Sequence, residues 1–181
     1  EKSFLSVYIK KEKQAKYYTW LSDAGLSLQS LSLGILSADY LAREKFDAKN
    51  QKSYMLWAIG KDSDEILMSQ DGEVQCILRI SRKTKNISLI NYIGSKQKAE
   101  GIVSMLKEKI DKDLKGFDLA DKIYMYQKRP NSDIRKIYNK KNKEAIVVLN
   151  PLLKMANVKQ NKVKLLETSY LSEFGYVFRG L

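Results

Sequence analysis

Four strand-length apolar runs, separated by turn signals, lie between residues 53 and 94 and limit what this chain can fold into. SYMLWAIG (53–60) is compact and bounded by polar residues. EILMSQ (65–70) ends on Asp71-Gly72, a dipeptide that favours a tight turn. EVQCILRIS (73–81) alternates Val74, Cys76, Leu78 and Ile80 with Glu73, Gln75, Arg79 and Ser81, interrupted only at Ile77. RKTKN (82–86) is a polar connection. ISLINYIG (87–94) follows, with Ile87, Leu89 and Asn91 expected on one face and Ile90 on the other. Runs this short and this close together pair most simply as an antiparallel meander.

Helical periodicity flanks this block. FLSVYI (4–9) is β-like, and a basic stretch, Lys10 to Lys16, follows it. Spacings of three and four among Leu28, Leu31, Leu33, Ile35, Leu36, Tyr40 and Leu41 predict a helix over 27–46. Asp23 or Ser27 would cap its start. KQKAEGIVSMLKEKIDKDL (96–114) places Ile102, Met105, Leu106, Ile110 and Leu114 on one helical face. DKIYMYQK (121–128) reads as a strand whose Ile123 and Met125 oppose Tyr124 and Tyr126. Pro130-Asn131 opens a short helix with the stripe Ile134, Ile137, Tyr138, and EAIVVLNP (144–151) is a further strand. VKLLETSY and GYVF suggest last strands. The class is α/β of the α+β type: one mostly antiparallel, mixed sheet flanked by helices. With two prolines and no linker-like stretch, the 181 residues read as a single domain, 1–181.

Composition removes several chemistries. Histidine is absent, which excludes imidazole bases, Ser–His and Cys–His pairs, and histidine-ligated zinc. The single cysteine, Cys76, excludes intrachain disulfides and multi-cysteine metal sites, and its place in an alternating strand suits a buried, inert thiol. Trp20 and Trp57 suit core or interface anchoring. No apolar run approaches the roughly 20 residues of a transmembrane helix. The compartment stays open, with the cytoplasm as the default. The net charge is +12, from 33 Lys+Arg against 21 Asp+Glu. That charge suits a polyanionic partner, nucleic acid among them, and equally suits solubility.

The order of elements resembles the GNAT superfamily of N-acetyltransferases, best over residues 53–150. Two segments carry the likeness: ISLINYIGS running into KQKAEGIVSMLKEKI, and NSDIRKIYNKK. The resemblance implies that acetyl-CoA or another acyl-CoA binds where the strand meets the helix. Its pantetheine would lie along the strand edge near Ile93. Its pyrophosphate would sit on the helix start, at Lys96, Gln97, Lys98, Ala99 and Gly101. A helix N-terminus is a general anion site, because its first N–H groups are free and its dipole is positive. Asn131, Ile134, Ile137 and Tyr138 fit the spacing of a second family motif. There Tyr138 would protonate the departing thiolate and Asn131 would add a cofactor contact; Asn131 also suits a helix N-cap. Lysine at 96 and alanine at 99 stand where the family usually has Arg or Gln and a glycine.

The implied activity is transfer of an acyl group from CoA to an amine of a protein or small molecule. Without histidine the general base would be a carboxylate, with Asp62, Asp64, Glu65 and Glu73 as candidates. The alternative is a non-enzymatic basic α/β module that binds nucleic acid or a protein partner, within a larger assembly. Tyrosines among lysines would then serve as stacking platforms.

Overall fold

The computed structural model describes residues 9–25, 33–82, 86–109, 120–128 and 146–150. The chain divides into two compact units, residues 1–33 and 34–181.

The first unit contributes helix α1, Lys11–Asp23. The sequence reading assigns no helix here, because the segment has no apolar stripe to bury, and α1 indeed has no buried residue. Its KEKQAK start consists of strong helix formers instead. Gly25, at φ +71°, ends the helix in the left-handed conformation and donates its N–H to the Ser22 carbonyl. Asp23 is therefore the last residue of a helix and not the cap of the next one.

In the second unit, α2 spans Gly34–Lys45, a later start than the 27–46 expected, and residues 26–32 lie outside the described set. Six strands follow: β1 Ser53–Ile59, β2 Ser63–Gln70, β3 Glu73–Ser81, β4 Ser88–Gly94, β5 Lys122–Gln127 and β6 Ile146–Val148. Helix α3, Lys96–Lys109, lies between β4 and β5 in sequence. The strands form one mixed sheet in the order β4-β3-β2-β1-β5-β6. Strands β1 to β4 are the expected antiparallel meander. β5 runs parallel to β1, and β6 parallel to β5.

That order separates β5 from β4 by three strands. β5 extends the sheet from β1. The reason is burial: β5 is apolar on both faces and needs a central position, while β4 is largely exposed.

Each face of the sheet has its own core. Met55, Trp57, Ile59, Ile66, Cys76, Leu78, Ile80, Ile123 and Met125 pack with Ala99, Ile102, Val103 and Leu106 of α3. The other face carries Tyr54 and Tyr124, whose rings meet edge to face at 5.8 Å. There α2 buries Ile35, Ala38, Leu41 and Ala42. The expected alternation of β5 holds. That of β4 breaks at a register shift: Ile80 pairs with Leu89 but Arg79 pairs with Asn91, so Ile90 is an extra residue. Leu89 packs on the α3-side core, while Asn91, opposite Arg79, moves to the other face. Asp71 and Gly72 both have positive φ, +51° and +81°, as the tight turn between β2 and β3 requires.

Two buried carboxylates tie the layers together. Asp39 of α2 accepts from the Tyr54 hydroxyl at 2.5 Å and from Arg43 Nε at 2.9 Å. Arg43 also donates to the Gly72 carbonyl and to Ser69 Oγ. Asp64 of β2 accepts from Trp57 Nε1 at 2.9 Å and from the Gly60 N–H at 3.1 Å, and it pairs with Arg82. Burial raises both carboxyl groups above their ordinary range, against the pull of these donors.

Two stability predictions follow from these contacts. Asp64→Leu strands a largely buried guanidinium and is expected to cost about 3–5 kcal/mol in urea unfolding. Arg82→Met is expected to cost less, because Asp64 keeps two donors. In that variant the Asp64 carboxyl rises further, the folded state binds a proton more readily, and stability increases as pH is lowered toward the carboxylate range. On the alkaline side, burial pushes the Cys76 thiol up to about 11 and the Tyr124 hydroxyl up to about 12, from 9.0 and 10.0. Tyr54 rises too. The unfolded chain loses these protons first, so the unfolding midpoint should fall as pH rises above 9.0, and Tyr124→Phe should flatten the decline.

Candidate functional site

Strand β4 passes into α3 through Gly94 and Ser95. Gly94 has φ +88°, and a Cβ there would lie 2.5 Å from the Gln75 carbonyl oxygen. Ser95 donates its N–H to that same carbonyl. It then caps α3: its Oγ accepts from the Lys98 N–H at 3.3 Å, and its carbonyl accepts from the Ala99 N–H at 3.1 Å.

The sequence-predicted cofactor residues fall around this junction but do not converge on one point. Lys96, Gln97, Lys98, Ala99 and Gly101 all lie inside the helix, with no glycine-rich loop before it. Ala99 is fully buried in the sheet–helix core. Gly101 faces open space, where a Cβ would meet nothing within 4 Å. Lys96 is exposed and lies 3.7 Å from Glu100. Gln97 is exposed. Ile93 is half-buried opposite Ile77, on the sheet face away from α3. Asn131 and Tyr138 lie outside the described residues.

Of the candidate bases, Asp64 is a buried structural carboxylate and Glu65 pairs with Lys128 at 2.5 Å. Asp62 and Glu73 are exposed. Cys76 is buried, and its raised ionisation leaves little thiolate near neutral pH.

Lys98 does contribute to a cavity. A cleft of about 360 Å³ opens where β1 and β5 begin, β2 ends and α3 starts. Its lining is Lys52, Ser53, Met68, Gln70, Lys98, Ile102 and Asp121. Met68 and Ile102 belong to the core and form its apolar part. The Lys98 ammonium donates to Gln70 Oε1 at 2.8 Å and Gln75 Oε1 at 3.0 Å. Asp121 Oδ2 accepts from both the N–H and the Oγ of Ser53, each at 2.8 Å. These hydrogen bonds, with Lys52 nearby, hold the Asp121 carboxyl below its ordinary range.

Sequence reasoning missed Lys52, Ser53, Met68, Gln70 and Asp121 as a group. They lie at strand ends far apart in the chain. Only the parallel β1–β5 pairing, which places Tyr54 opposite Lys122, brings Ser53 and Asp121 together. No local motif announces that pairing.

Helix α1 carries a second cluster. Trp20, Tyr18 and Tyr17 are 65%, 49% and 42% exposed, and Ile9 just before the helix is 43% exposed. Tyr17 and Trp20 meet edge to face at 5.8 Å. Lys10, Lys11, Lys13 and Lys16 fill the preceding turns and are all exposed. Trp57, by contrast, is wholly buried. Tyr124 and Tyr126, also candidates for stacking, are core residues.

Among the described residues no group of three or more acidic or cysteine side chains is placed to hold a metal, and no helix is long and apolar enough to cross a membrane. No family model matches the chain, and no curated protein matches it at a significant level.

Proposed function

We propose that the chain is a non-enzymatic basic module that binds single-stranded nucleic acid, with α1 as the contact element. The observation that carries this reading is the set of exposed rings, Tyr17, Tyr18 and Trp20, in a helix that begins with Lys11, Lys13 and Lys16. Exposed aromatic faces offer stacking to any base, and neighbouring lysines neutralise phosphates. A net charge of +12 raises the local concentration of such a ligand.

Acyl transfer is the less favoured reading. Its site would need β4 and β5 side by side and free amides at the start of α3. The sheet order keeps β4 and β5 apart, and Ser95 already occupies the Lys98 and Ala99 amides.

Because Trp57 is buried, fluorescence quenching by an external ligand reports on Trp20. A single-stranded oligonucleotide is expected to quench the emission, with an affinity that falls steeply between low and moderate salt. Trp20→Ala, followed by anisotropy of a labelled oligonucleotide, should weaken binding by about tenfold, within the range for one stacked base. Lys11→Gln with Lys13→Gln should flatten the salt dependence by about one to two contacts. Equal oligonucleotide binding by wild type and Trp20→Ala would sink the proposal. So would an emission shift on anionic vesicles with no response to the oligonucleotide.

A further inference from the structure

The cleft at the start of α3 is lined by charges of both signs. Asp121 forms no ion pair among the described residues, although it shares the cleft with Lys52 and Lys98. Its Oδ2 is engaged by Ser53, and its Oδ1 takes part in no hydrogen bond among the described residues. Lys98 has three N–H donors and spends two of them on Gln70 and Gln75. Those glutamine contacts hold the ammonium in place and leave one donor over. Lys52 is exposed and makes no ion pair among the described residues. Met68 and Ile102 supply the apolar part of the same lining.

We propose that this cleft binds a small zwitterion of the α-amino-acid type with an apolar side chain. The ligand's ammonium would meet Asp121 Oδ1. Its carboxylate would meet Lys98 and Lys52, and its side chain would rest on Met68 and Ile102. Charge selects this class over its neighbours. A polyphosphate would bring several negative charges against an ionised Asp121. A simple amine would face two lysines with nothing to offer them. The volume, about 360 Å³, lies at the small end of ligand pockets, which run ~300–1,000 Å³. Two of the groups are positioned before any ligand arrives: Asp121 by Ser53, and Lys98 by its two glutamines. Such preorganisation lowers the entropy lost on binding.

The test titrates the full chain with L-leucine and L-methionine. Hexanoate serves as the carboxylate-only probe and isoamylamine as the amine-only probe, all followed by amide chemical shifts. The two amino acids are expected to give saturable shifts at cleft residues with millimolar affinity. Hexanoate and isoamylamine should each bind about tenfold more weakly, the loss of one charge-assisted contact. Asp121→Asn, a change at an exposed carboxylate, should bring leucine down to the level of hexanoate. Lys52→Ala should weaken leucine and hexanoate together. The proposal fails if hexanoate matches leucine, or if Asp121→Asn leaves leucine binding unchanged. It fails equally if neither amino acid gives a saturable shift at roughly 20 mM, well above the millimolar range set for so small a ligand.

Discussion

Strand β1 is buried on both faces from Tyr54 to Ile59, yet it carries two side chains that must donate a hydrogen bond. Tyr54 projects to the α2 side and Trp57 to the α3 side. A buried donor without an acceptor costs about 1–3 kcal/mol. The fold meets both needs in the same way. On one face Tyr54 donates to Asp39, and Arg43 completes the carboxylate. On the other Trp57 donates to Asp64, and Arg82 completes it. Each arginine then reaches a turn carbonyl, Gly72 for Arg43 and Gly60 for Arg82. One relay therefore fastens α2 to the β2–β3 turn, and the other fastens the end of β3 to the β1–β2 turn. These contacts fix β1 at the centre of the sheet, and the central position is what gives β5 a parallel partner.

Much of this was legible in the sequence because the meander is local. Its strands are joined by connections of two to six residues, and alternation in 73–81 and 121–128 is strong enough to assign faces. Register signals failed where one residue was added: Ile90 shifts Asn91 to the face opposite Leu89, and apolar spacing alone carries no mark of a bulge. Sheet order was not legible for a different reason. After a helix the next strand can join either edge of a meander, and local pattern does not distinguish the edge at β4 from the edge at β1. What decides is two-sided burial of β5, a property of the assembled layers. The cofactor assignment at the α3 start came from the order of elements and from ISLINYIGS running into KQKAEGIVSMLKEKI, neither of which carries the sheet order. Helix α1 escaped detection because its apolar residues are not buried, and periodicity arguments assume burial.

The cleft was illegible for the reason that makes it specific. Its polar groups come from residues 52, 53, 70, 98 and 121, each at the end of an element. Strand and helix ends are where backbone and side chains can point along the sheet instead of across it. The parallel β1–β5 pair lets Ser53 and Asp121 exchange hydrogen bonds: Asp121 donates its N–H to Ser53 Oγ at 3.0 Å while its carboxylate accepts from Ser53. An antiparallel partner for β1 at that edge would have brought the other end of β5 there.

Charge placement separates the two proposed sites. With an excess of 12 positive charges, any anion is drawn toward the chain, so attraction alone cannot discriminate among ligands. Discrimination needs a local feature that some anions fail to satisfy. In the cleft that feature is Asp121, whose carboxyl stays ionised because Ser53 hydrogen-bonds the charged form. A ligand must bring a cation to offset it. Along α1 the only acidic residue before the helix end is Glu12, and the aromatic rings ask for a flat π-face instead of a cation. Under the two proposals, the same positive field would serve a polyanion with bases at one place and a compact zwitterion at another, and neither ligand would satisfy the requirement of the other's site.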